Sequence, residues 1–139
     1  MKIKTLLTVL TAASLGFTAF AADDDTPLSK QMSVVNKSLR LVKRQLGDAA
    51  KKDDNLALIG KVKAALDEAQ KLEPKKTKDQ ADKAAYTKKF KEEMGELVKT
   101  VGELEAGIKS DSKDKAEAAL KKIYEEKEKG HKDFGVDDD

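Results

Sequence analysis

Residues 27–47, PLSKQMSVVNKSLRLVKRQLG, decide the fold. Leu28, Met32, Val35, Leu39, Val42 and Leu46 recur at alternating steps of four and three. Those steps follow one side of an α-helix, so the stretch carries a single apolar stripe that must be buried against a partner. Gly47 then acts as a stop signal, since glycine readily ends a helix.

The same periodicity returns three more times. After the polar connection DAAKKDDN, a second helix is expected to start near Asn55, a good N-cap residue, with Leu58, Ile59, Val62, Ala65, Leu66 and Ala69 on its apolar side. Pro74 ends it, because proline disfavours helix in the residue before it. A long third helix is expected from about Asp79 to Lys109, with Tyr86, Phe90, Met94, Leu97, Val101, Leu104 and Ile108 as its stripe. SDS at 110–112 breaks the chain, and a fourth helix carries Ala116, Leu120, Ile123 and Tyr124 on towards His131 and Phe134. No segment sustains the alternation of a strand. Four amphipathic helices with short connections predict an all-α, antiparallel up-down-up-down four-helix bundle.

The N-terminus predicts export. MKIK is a short basic segment, TLLTVLTAASLGFTAF is uncharged and apolar, and Ala19 and Ala21 supply the small residues of a cleavage site. Residues 1–21 are therefore expected to be a cleaved signal peptide, with 22–139 as the mature domain. The apolar stretch is short for a membrane span, so a soluble periplasmic protein without stable membrane insertion is expected. Cysteine is absent, which excludes disulfides, thiolate zinc sites, iron–sulfur clusters and the C-x-x-C-H attachment of a covalent haem.

The full chain carries a formal net charge of +2, and loss of Lys2 and Lys4 with the signal leaves it neutral. Over the mature chain as a whole, lysine and acid are interspersed rather than segregated, and only Tyr86, Phe90, Tyr124 and Phe134 remain as aromatics in 22–139. A nucleic-acid partner is not expected, because no basic face with stacking aromatics is present.

The bundle topology brings distant residues to one end. The start of helix 1, the end of helix 2, the start of helix 3 and the end of helix 4 meet there. Met32, Pro74, Phe90, Met94 and His131 all belong to that end or lie near it. His131 is the only histidine, and it follows Ile123 and Lys127 at intervals of four, on the inward side of helix 4. A histidine there can simply pack at the bundle mouth or favour the helix C-terminus through the macrodipole. A methionine at helical spacing can equally be plain core. A methionine and a histidine facing each other across a bundle end can also supply a thioether and an imidazole to haem iron. Leu28, Val35 and Phe90 would then wall the porphyrin.

The mature chain resembles the cytochrome b-562 family of soluble periplasmic bundles. PLSKQMSVVNKSLRLV resembles the family's first helix, with Met32 at the methionine-ligand position. KVKAALDEAQKLEP resembles its second helix, with Pro74 at the end. FKEEMGELVKTV resembles the third, with Phe90 and Met94 where the family packs aromatics on haem. GHKDF resembles the region of the histidine ligand, here His131. Three residues depart from the family pattern: Lys127 replaces an arginine, Gly130 an aromatic, and Met94 an aromatic.

The resemblance implies an electron-transfer protein, not an enzyme, that holds one non-covalent haem b. Met32 and His131 are the implied iron ligands, and Leu28, Val35, Pro74, Phe90, Met94 and Lys127 the implied haem-binding residues. The implied partners are periplasmic redox proteins, and the protein is expected to be a monomer. Counting turns from the shared bundle end places Met32 nearer the level of His131 than Met94, so Met94 is expected only to pack. Lys75, Lys76, Lys78, Lys127, Lys129 and Lys132 cluster at this end and could meet haem propionates or an acidic partner. Two other readings keep the same fold: a haem-free bundle acting in interactions or stress, and a weak metal binder using the aspartate runs at 23–25 and 137–139.

Overall fold

The computed structural model describes residues 26–135. The expected signal peptide and both aspartate runs lie outside these residues. Four helices account for most of the described chain: α1 (Pro27–Gln45), α2 (Lys52–Ala69), α3 (Lys83–Lys109) and α4 (Lys113–Phe134). Short 3₁₀ turns at Ala49–Lys51 and Lys75–Asp79 lead into α2 and link it to α3. None of the four helices is long and apolar enough to cross a membrane.

The helix ends follow local chemistry. Thr26 caps α1 by accepting a hydrogen bond from the Ser29 amide at 3.1 Å, and Pro27 occupies the first turn, where its missing N–H costs nothing. Asn55 does not cap α2, which starts three residues earlier. Asp48 caps the preceding 3₁₀ turn instead, accepting from the Ala50 amide at 2.9 Å, and that turn runs straight into α2, whose own N-cap Lys51 makes no side-chain cap bond. Asp53 and Asp54 then favour the positive end of the helix. Asn55 instead turns inward, is buried, and accepts a hydrogen bond from Gln45 Nε2 at 2.8 Å. Helix α3 begins at Lys83 rather than Asp79, because Asp82 is its cap and accepts from the Ala85 amide at 2.9 Å.

The turn between α3 and α4 is closed by backbone geometry that the SDS motif alone does not reveal. The Ser112 amide reaches back to Gly107 O at 2.9 Å and the Asp111 amide to Ile108 O at 3.2 Å. That pair of bonds is a Schellman motif, with Asp111 in the left-handed region at φ 54°. Lys52 reinforces it from α2, donating to Lys109 O at 3.0 Å and to both Asp111 carboxylate oxygens at 2.8 Å.

The four stripes merge into one core. Val35, Leu39, Val42, Ile59, Val62, Leu66, Val101, Leu104 and Ile123 are fully sealed from solvent. Helix α1 packs along α2, α2 along α3, and α3 along α4. Of the four neighbouring pairs, α1 and α4 make the sparsest backbone contact. The fold therefore leaves one seam loosely closed.

Gly107 shows how tight the α3–α4 seam is. A Cβ placed there would lie 2.7 Å from the Ala116 backbone nitrogen and 3.0 Å from its Cα. At Gly102, on the same helix, a Cβ meets nothing within 4 Å. Gly102→Ala is therefore expected to stabilise the protein by up to about 1 kcal/mol through helix propensity. Gly107→Ala is expected to destabilise it by about 1–3 kcal/mol, because two backbones must separate. Urea unfolding of both variants checks the opposite signs; a stabilised Gly107→Ala would mean the seam is slack.

Candidate functional site

Helix α4 runs unbroken through His131 to Phe134 and stops at Gly135, whose φ of 58° needs no Cβ and whose amide bonds His131 O at 2.8 Å. The Gly135 cap therefore holds His131 within the last turn. Thr26 fixes the opposite wall of the site through its side-chain cap, setting the start of α1 and hence Met32 just over a turn inside it. Both ends face the seam that α1 and α4 leave loosely packed.

An apolar cleft of about 40 Å³ opens where α1, α3 and α4 meet beside that seam. Leu28 and Met32 line it from α1, Phe90, Met94 and Leu97 from α3, and Gly130, His131 and Phe134 from α4. Leu28, Met32, Phe90, Met94, Leu97 and Phe134 are all buried, whereas His131 is half-buried. Three aromatic rings brace the floor: Phe134 stands edge-on to Tyr86 and to Phe90, with ring centres 5.2 Å apart in each pair. Tyr86 Oη also donates to Phe134 O at 3.4 Å, and burial pushes the Tyr86 hydroxyl pKa upwards.

Cross-helix contacts set the register. Lys127 Nζ donates to Asn36 Oδ1, so those residues are level across the α1–α4 seam. The two helices run in opposite directions, so one turn towards the cleft on each leads from Asn36 to Met32 and from Lys127 to His131. On α3, Lys129 pairs with Glu93, and Phe134 packs on Phe90. The level of His131 thus falls between Phe90 and Glu93, and Met94 lies further into the bundle.

Polar groups ring this apolar space. Lys127 lies against the Tyr124 ring, 5.5 Å from its centre, and lines the cleft beside Glu93 and Glu126. Glu126 Oε1 accepts from Thr100 Oγ1 at 2.9 Å, while Glu126 Oε2 is buried with no hydrogen bond. An unsatisfied buried oxygen of this kind costs about 1–3 kcal/mol. Lys89 holds Asp133 at 2.9 Å and lowers its pKa.

The cleft brings together Leu28, Met32, Phe90, Met94, Lys127 and His131. Val35 and Pro74 do not line it. Val35 lies almost one turn further along α1 and is sealed in the core. Pro74 is buried beyond the end of α2, where its carbonyl accepts the Thr77 amide at 2.9 Å and starts the following 3₁₀ turn. Phe134, Leu97, Glu93 and Glu126 were not singled out as site residues from sequence. Phe134 had a legible signal, since it follows Lys127 and His131 at helical spacing of seven and three. The two glutamates had none, because they look like any other residue of a charged helix face.

The residues present suit a flat, largely apolar, iron-bearing ring. They offer a thioether, an imidazole, aromatic and aliphatic walls and a cation at the rim. The cleft is narrower than a porphyrin, but it lies at the seam with the least packing to disrupt. Among the described residues, no cluster of three histidine or acidic side chains could hold a bare metal ion.

A family model described as Cytochrome b562 matches residues 27–134. Comparisons with curated proteins and with solved structures returned no match.

Proposed function

The chain belongs to the cytochrome b562 family of haem-binding electron carriers, and we propose that it is a periplasmic protein holding one haem b between α1 and α4, with Met32 and His131 as the residues that would hold its iron. One observation carries this reading: Met32 on α1 and His131 on α4 line the same apolar cleft at the seam where the bundle is most easily parted. Bound haem would supply one-electron redox chemistry.

The chain's own residues divide the remaining work. Leu28, Phe90, Met94, Leu97 and Phe134 line the cleft and would exclude water from it. Lys127, which donates to Asn36, would offer a cation to negative charge at the rim. Parting α1 from α4 disturbs fewer contacts than opening any other neighbouring pair. The partners would be periplasmic redox proteins that reach the cleft at this end of the bundle.

Titration of the purified protein with haem is the direct test. The expected result is saturation at one equivalent, with sharp low-spin bands after reduction by dithionite. The melting temperature should rise as haem is added, because haem binds the folded state. A broad high-spin spectrum, or no saturation, would sink the reading.

A further inference from the structure

Charge is spread evenly over three helices and concentrated on the fourth. Helices α2, α3 and α4 each mix acidic and basic residues. Helix α1 carries Lys30, Lys37, Arg40, Lys43 and Arg44 and no acidic residue at all. Lys37, Arg40, Lys43 and Arg44 form no ion pair among the described residues. Most lysines of α4 differ: Lys129 and Lys132, for example, are held by Glu93 and Glu128.

The apolar surface points to the same place. Val34 and Leu41 are the exposed large hydrophobic residues among the described residues, at 42% and 45% exposure. Both lie on α1. Lys30, Val34, Lys37, Leu41 and Arg44 recur at steps of four and three, so they form one stripe along the outward side of the helix. This stripe is opposite the buried one, and it alternates cation and hydrophobe along its length. Helix α1 also carries Met32, so the stripe and the cleft share one helix.

We propose that the outward stripe of α1 is the docking surface for an acidic partner protein. Lys37 and Arg44, which form no ion pair among the described residues, can steer an acidic surface into contact, and Val34 and Leu41 supply the apolar contact that stabilises the docked pair. Two half-exposed side chains of this size offer little area for insertion into lipid, whereas they match the small apolar spots of a protein interface. That this partner exchanges electrons rests on the functional reading above; the charge and shape of the surface do not.

The test uses the whole isotope-labelled protein, without haem and after haem is added. Two polyanions serve as probes at low salt: poly-L-glutamate and a glutamate–tyrosine copolymer. Amide shifts should cluster on Lys30–Arg44 with both probes and fade as salt is raised. The copolymer should bind more tightly. Lys37→Glu combined with Arg44→Glu should weaken binding of both by roughly tenfold or more. Val34→Ser combined with Leu41→Ser should erase the copolymer's advantage and leave poly-L-glutamate binding unchanged. Shifts centred on Lys75–Lys78 or spread over all helices would overturn the proposal, as would tighter binding to phosphatidylglycerol vesicles than to either polymer. The protein without haem should give the same map, so failure of haem binding and failure of the docking surface are read separately.

Discussion

His131→Ala is expected to abolish the low-spin haem spectrum and weaken haem binding by about two orders of magnitude or more. The size follows from comparison with lesser changes: removing a group that merely orients a metal ligand typically costs about 10–100-fold, and this substitution removes the proposed ligand itself. What remains is the thioether of Met32, a weak ligand without its imidazole partner. The folded bundle should survive. His131 is half-buried in the last turn of α4, the Gly135 cap uses only its backbone carbonyl, and alanine is a good helix former. Circular dichroism of the haem-free variant should therefore stay strongly helical with little change in melting temperature. Unaltered haem affinity and spectrum in His131→Ala would remove the histidine from the iron.

Met32→Leu and Met94→Leu should separate the two methionines. Both are buried, at 7% and 6% exposure, and leucine roughly conserves their volume, so each change should cost less than about 1.5 kcal/mol of stability. Only Met32→Leu should remove the near-infrared band of thioether ligation in the oxidised protein. It should also lower the reduction potential by roughly 100 mV, a fraction of the ~0.8 V range that axial ligands command. Two features of the fold favour Met32. The Asn36–Lys127 contact sets it level with His131 across the loose seam. Met94 sits on α3, which packs along α4 far more extensively than α1 does, and it lies deeper in the bundle than the level of His131. Loss of the band in Met94→Leu instead would reassign the sulfur.

The helices were legible because burial imposes a period on sequence. Six apolar residues of α1 at steps of four and three admit one buried face, and five of the six are buried; Leu46, just past the helix end, is partly covered. Boundaries were less legible. Asn55 has the chemistry of a cap, but a cap is defined by the amides left unpaired at a helix start, and the 3₁₀ turn capped by Asp48 leads directly into α2 three residues upstream of Asn55. Asp79 and Asp82 posed the same ambiguity before α3, and only the accepted bond from the Ala85 amide distinguishes them.

Topology alone was enough to bring Met32, Phe90 and His131 to one end, since antiparallel helices of similar length must return there. Sequence alone determined the four stripes, their order, the absence of thiol chemistry and the identity of the two candidate ligand atoms. It could not determine which side chains share the cleft. Val35 lies on the same stripe as Met32, yet one turn carries it from the cleft into the sealed core. Pro74 reaches the same bundle end but caps a turn there. Glu126, inconspicuous in a charged helix, turns one buried oxygen inward. Those outcomes depend on how far apart two helices stand and on their relative rotation. The tertiary structure decided them, because the gap between α1 and α4 is a property of all four helices packing together and leaves no period in any one of them.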